Sequence, residues 1–164
     1  MDNKDLSSSN ISFDFLYKSN DFLNIILNNV SCSILLLNKD LELKAFNDPV
    51  KNMFINKPDE DLLFVRCGEA IGCAYTIEEM KKCGETSYCN KCDLRINSLQ
   101  SYIEKKPIYR QKLSREFYKI DGNKEMKHLQ FSVLPFYFLN DYYIIVLVED
   151  ITELVSLRNK ISQN

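Results

Sequence analysis

The chain has 164 residues, 45% hydrophobic and 12% aromatic, and a formal net charge of −2. That is long enough for one compact domain with a real core, and the composition lies far from that of disordered chains. Charges of both signs are interspersed with no basic stripe, so neither nucleic acid nor an anionic membrane is an expected partner. The polar N-terminus lacks the apolar stretch of a signal peptide, and the longest apolar runs, 34–37 and 143–148, are too short to span a bilayer as helices. A cytoplasmic location is therefore the default expectation, with thiols kept reduced.

Residues 1–18 read as a flexible lead-in carrying Phe13, Phe15, Leu16 and Tyr17, side chains suited to docking. From Ser19 the pattern turns helical: Ser19 or Asn20 can cap, and Phe22, Leu23, Ile25, Ile26 and Leu27 make a broad apolar face. Cys32–Leu37 is an apolar run of strand length, Asn38-Lys39-Asp40 supplies turn chemistry, and Leu41–Phe46 alternates like a half-buried strand, together a hairpin. Cys32 reads as a small core hydrophobe. Asn47-Asp48-Pro49 starts a short helix with Val50, Met53 and Phe54 on one face. Residues 57–106 hold five of the six cysteines and most glycines. They are loop-rich, with two short helices expected near Thr76–Lys82, opened by a Thr76/Glu79 capping box, and Cys92–Lys105. Three strands follow, Tyr109–Tyr118, Lys127–Leu139 and Asp141–Val148, parted by Asp121-Gly122-Asn123 and Asn140-Asp141. The tail from Asp150 is an amphipathic helix with Ile151, Leu154, Val155 and Ile161 near heptad spacing.

This order of elements resembles a PAS domain over about residues 20–155. The carriers are Phe22–Val30 leading into Ile34–Asn38, the step Ala45-Phe46-Asn47 with Val50 and Phe54, and the closing Asp150-Ile151-Thr152. The resemblance implies an α+β fold, a PAS-like five-stranded antiparallel sheet with short helices on one face. An N-terminal helix precedes it and a C-terminal signalling helix follows. The divisions are a lead-in at 1–18, a PAS domain at 19–150 with a cysteine-rich insert at about 66–95, and the exit helix at 151–164. Asp150 and Thr152 are the expected relay, capping that helix while bonding back to the sheet. Gly68-Glu69-Ala70-x-x-Cys73, Cys83-Gly84 and Cys89-x-x-Cys92 resemble an insert of a subset of bacterial PAS sensors, many from anaerobes.

Cys73, Cys83, Cys89 and Cys92 are separated by nine, five and two residues, and Gly72 and Gly84 beside two of them permit tight loops that converge on one centre. All-sulfur ligation suits zinc or an iron–sulfur cluster and excludes Mg²⁺ and Ca²⁺. A zinc site would more usually show two close pairs, so the uneven spacing and the sensor context favour an iron–sulfur cluster, with zinc as the alternative. A thiol switch built on Cys89 and Cys92, resolved by Cys83 or Cys73, stays open. Cys67 lies outside the pattern as a possible spare ligand.

His128, the lone histidine, sits at a strand position that reads as solvent-facing rather than as a haem ligand. Phe117, Tyr118, Phe131, Phe136, Tyr137 and Phe138 read as core, with a metabolite pocket as the rival assignment. No catalytic triad, phosphate loop or kinase motif is present, so the chain reads as a non-enzyme. The expected function is sensory signal transduction: redox state or a gas sensed through the cysteine centre and relayed by the exit helix. That helix would meet its copy in a homodimer, or a histidine kinase or response regulator. A docking module stabilised by zinc or thiols, or a PAS domain binding a metabolite, are the alternatives.

Overall fold

A computed structural model describes residues 19–54 and 63–163; the lead-in at 1–18 lies outside the described residues. Five antiparallel strands, β1 (Ser33–Leu37), β2 (Leu43–Phe46), β3 (Ile108–Tyr118), β4 (Lys124–Phe138) and β5 (Asp141–Asp150), form one sheet in the order β2-β1-β5-β4-β3. Helices α1 (Asn20–Asn29), α2 (Asp48–Met53), α3 (Cys67–Ala70), α4 (Ala74–Glu78), α5 (Asp93–Glu104) and α6 (Thr152–Ser162) complete it. The result is the expected α+β arrangement.

Period-two alternation sets the core. Leu35 and Leu37 of β1, Leu113 and Phe117 of β3, Leu129, Phe131 and Val133 of β4, and Ile144, Val146 and Val148 of β5 all bury on one face. Val50, Phe54, Ile71 and Leu94 from the helical side close over them. Asn47 fastens one end of the sheet. Its Oδ1 accepts the Ile34 amide at 2.8 Å, and its Nδ2 donates to the Leu27 and Cys32 carbonyls at 2.7 and 2.9 Å. One buried side chain thus joins α1, β1 and the start of α2, with Pro49 in the first turn as expected.

Four local expectations differ. The helix expected at Thr76–Lys82 is α4, starting at Ala74, because the Cys73 backbone bridges to Phe117 and fixes the start there. Thr76 is therefore inside the helix and donates to the Cys73 carbonyl at 2.8 Å, while Glu79 accepts the Ser87 amide, so no capping box forms. Cys32 is half-buried just before β1 rather than in the core. The apolar face of α1 is largely uncovered, with Leu23, Ile25 and Ile26 exposed. Phe136, Tyr137 and Phe138 are also exposed, since β4 beyond Val133 and β5 before Ile144 extend past the ends of β3 and β1 as a two-stranded ribbon. Among the aromatics expected in the core, Phe117 and Phe131 are buried there.

Candidate functional site

Five cysteines, Cys67, Cys73, Cys83, Cys89 and Cys92, line one cavity of about 20 Å³ beneath Leu113, Arg115 and Phe117 of β3. All five are buried and unbridged. Their backbone positions follow from short-range geometry. Gly72, at φ 75°, turns the chain after α3, and its carbonyl accepts the Tyr118 amide at 2.8 Å, which hooks Cys73 onto the edge of β3. Cys83 is held from both sides: its amide donates to Glu69 Oε1 at 3.1 Å and its carbonyl accepts Arg66 Nη1 at 2.7 Å. Cys89 opens a 3-10 turn, Cys89–Lys91, that delivers Cys92 to the N-terminal cap of α5.

Three of the four expected ligand cysteines, Cys73, Cys89 and Cys92, meet a hydrogen-bond donor. The Cys89 sulfur accepts the Gly84 amide at 3.0 Å and lies 2.9 Å from Thr86 Oγ1. Arg115 Nη1 approaches Cys92 Sγ at 3.4 Å and Cys73 Sγ at 3.7 Å. The Cys83 sulfur packs against Gly68, where a Cβ would stand 2.8 Å from it. Cys67, helped by the Gly68 amide and the Arg95 charge against the opposing cost of burial, pulls the Cys83 thiol below its ordinary range. Cys67 itself is pushed up by Cys83 and by burial. Burial also raises Cys92, against the pull of Arg115.

Sequence reasoning missed Arg115. Arg115 is only 6% exposed. Its guanidinium lies 4.4 Å from the Tyr88 ring centre and 5.4 Å from that of Tyr75, two rings stacked at 4.8 Å. Its Nη2 has no partner, nor has Nη1 of Arg95, packed where a Cβ on Gly84 would stand. The signal was available: Arg115 shares strand parity with the apolar Leu113 and Phe117. Among the described residues no three His, Cys, Asp or Glu side chains converge on a single metal position. The donor chemistry nevertheless fits an all-thiolate centre. Four thiolates around Zn²⁺ or a cluster of charge +2 leave a net negative site, and Arg115, which lines the pocket, has a buried N–H donor without a partner, as does the half-buried Arg95 beside Gly84.

At the exit, Lys127 Nζ meets Asp150 Oδ2 at 2.8 Å, and Asp150 Oδ1 accepts the Thr152 amide at 3.0 Å. Thr152 Oγ1 accepts the His128 amide at 2.9 Å, and the Ile151 amide donates to the His128 carbonyl at 2.8 Å. Asp150 and Thr152 thus fasten α6 to β4. Burial works to raise the Asp150 pKa, but hydrogen bonds from Lys127 and Thr152 outweigh it and hold the group below the ordinary carboxylate range. The half-buried His128 pairs through Nδ1 with Ser114 Oγ at 2.6 Å.

No family model matches the sequence, and no curated protein does. Solved structures do. The PAS domain of nitrogen regulation protein NR(II) from Vibrio parahaemolyticus aligns over 78% of this chain and 96% of its own, with TM-score 0.54 and 14% identity. The PAS domain of BvgS from Bordetella pertussis aligns over 87% and 93%, with TM-score 0.53 and 17% identity. A domain of a sensory box sensor histidine kinase/response regulator from Geobacter sulfurreducens aligns over 84% and 99%, with TM-score 0.52 and 12% identity. No helix among the described residues is long and apolar enough to cross a membrane. Sheet order, helix placement and these alignments agree: the chain has the PAS fold.

Proposed function

We propose that the chain is a PAS sensory domain that reports redox state or a gas through a centre held by Cys73, Cys83, Cys89 and Cys92, and that the report leaves through α6. The carrying observation is Arg115, a buried cation whose hydrogen-bond partners are the sulfurs of Cys73 and Cys92 and whose Nη2 is orphaned. A cation built into a thiol pocket calls for negative charge on the sulfurs. An iron–sulfur cluster would supply redox and gas sensitivity there. The residues contribute the rest. Gly84, Thr86 and Gly68 orient the sulfurs, Arg115 and Arg95 balance the charge, and the Tyr75/Tyr88 stack covers the guanidinium. PAS domains of histidine kinases among the structural neighbours support a kinase or response regulator as the output partner. The exposed Leu154, Leu157 and Ile161 on α6 support pairing with a second copy or with such a partner's helix.

The cavity favours zinc as the second reading. About 20 Å³ is close to the room one water molecule needs, and a single ion asks for less rearrangement than a cluster of several irons. Anaerobic purification followed by an absorption spectrum with iron, sulfide and zinc analysis on one sample separates the two. A coloured protein containing iron and sulfide is expected. One zinc per chain, stable in air, selects the second reading, and a colourless chain free of both metals overturns the centre.

A further inference from the structure

We propose that residues 84–89 form a strap that opens as a unit on the cysteine pocket, gives a metal ion its way in and out, and is held shut by a latch on α4. The opening stands apart from the proposed centre; that a metal passes through it rests on that reading.

Two pairs of side chains make the latch. Tyr75 and Glu79 stand four residues apart, on α4 and at its C-terminal cap, and so share one side of the helix. They grip adjacent residues of the strap. Glu79 Oε2 accepts the Ser87 amide at 3.0 Å and Oε1 accepts the Ser87 hydroxyl, while the Tyr75 and Tyr88 rings stack at 4.8 Å. Arg66 reaches Glu85 at 3.8 Å, and the Arg115 guanidinium lies against the Tyr88 ring.

The backbone of the strap closes on itself. The Glu85 amide donates to the Lys82 carbonyl at 3.0 Å and the Cys89 amide to the Thr86 carbonyl at 3.2 Å. Gly84, at φ 101°, supplies the turn at one end. The Cys89 sulfur is bound by Gly84 and Thr86, so it travels with its own donors. The other walls of the pocket are tied by backbone bonds to regular elements or to the core. The Cys67 amide donates to the buried Leu41 carbonyl at 2.9 Å, the Cys73 backbone bridges to Phe117 of β3, and the Cys92 carbonyl accepts the Ile96 amide of α5 at 2.9 Å. Of the strap residues, Cys89 lines the cavity, so opening withdraws one wall and one thiol together. A segment closed on itself and held to its surroundings by side chains is where local opening costs least.

The test takes the full chain, reduced and stripped with a chelator, and follows alkylation of Cys89 against urea concentration by peptide mass. The rate is expected to be nearly independent of urea below the unfolding transition, the mark of local opening. Glu79→Ala and Tyr88→Leu are each expected to raise that flat rate about five- to tenfold, the worth of one latch contact. A rate that climbs with urea as steeply as the circular-dichroism transition, or one that neither variant changes, overturns the strap. If a variant does not fold, the wild-type slope decides. Chains loaded with Zn²⁺ are then mixed with a colorimetric chelator, and the same variants are expected to release zinc faster by the same factor. Release at the wild-type rate from variants that label faster overturns the route. A chain that holds neither zinc nor iron sinks the centre and the route with it, while the labelling still decides the strap.

Discussion

Arg115 and Lys127 stand directly opposite each other on β3 and β4, with both side chains on the buried face of the sheet. Like charges in that register repel, on the order of 1–3 kcal/mol at the effective dielectric of a protein, so each needs its own counter-charge. Lys127 has one in the Asp150 carboxylate at 2.8 Å, which needs no bound group or oxidation to carry charge at neutral pH. Arg115 has sulfurs, whose charge depends on protonation, oxidation or coordination. The exit junction is therefore electrostatically complete, while the pocket is conditional. The pocket cation and the cation that fastens the exit helix are thus register partners on adjacent strands.

The sharpest way to break this contrast is Arg115→Met. If the sulfurs carry negative charge, removing the cation leaves that charge buried and costs about 3–5 kcal/mol, read as a lower urea midpoint together with loss of bound metal. If the thiols are neutral, Arg115 is a buried cation without a counter-charge, and Arg115→Met raises stability instead. Arg115→Lys keeps the charge but not the planar fork, and is expected to fall between the two.

Lys127→Met attacks the complete side. Asp150 keeps the Thr152 hydrogen bonds and 29% of its side chain in solvent, so the expected cost is smaller, about 1–2 kcal/mol, seen as faster amide exchange in α6. The same carboxylate sets a pH dependence. Its pKa is depressed in the folded state, so its contribution is present above the ordinary carboxylate value and is lost as pH falls below about 4. Wild type and Asp150→Asn should differ in stability at neutral pH and converge in acid. A difference that persists below that range removes Asp150 from the account.

The fold was legible because its signals are local. Asn38-Lys39-Asp40 marks one hairpin, Pro49 a helix start, Asp121-Gly122-Asn123 another turn, and alternation from Leu113 to Phe117 and from Leu129 to Val133 marks buried strand faces. The same alternation places Arg115 and Lys127 on those faces, and a charged residue in apolar parity was the available clue to both. Other features depend on contacts between segments and leave no trace in spacing. Cys83 lies against Gly68 only because Arg66 and Glu69 draw a distant loop onto α3. Phe136–Phe138 are exposed only because neighbouring strands end first. That five cysteines crowd one stretch was legible, but the convergence of all five, Cys67 included, on one cavity under Arg115 was not.

The smallest effect is the one that tests whether the two regions communicate. Thr152→Val removes the hydroxyl that accepts the His128 amide, leaving that donor unpaired for about 1 kcal/mol, and Thr152→Ser retains it. Exchange at the His128 amide and fraying of α6 are the local readouts. Coupling between two sites is reciprocal: if pocket chemistry loosens α6, loosening α6 must shift the affinity or reactivity of the pocket by the same factor, at most about fivefold for 1 kcal/mol. The thiol alkylation rate of Thr152→Val, with Thr152→Ser as its control, measures that factor. A change in that rate places the Arg115–Lys127–Asp150–Thr152 line under tension from both ends. An unchanged rate alongside a frayed helix means that α6 is fastened to the sheet without being driven by the cysteines.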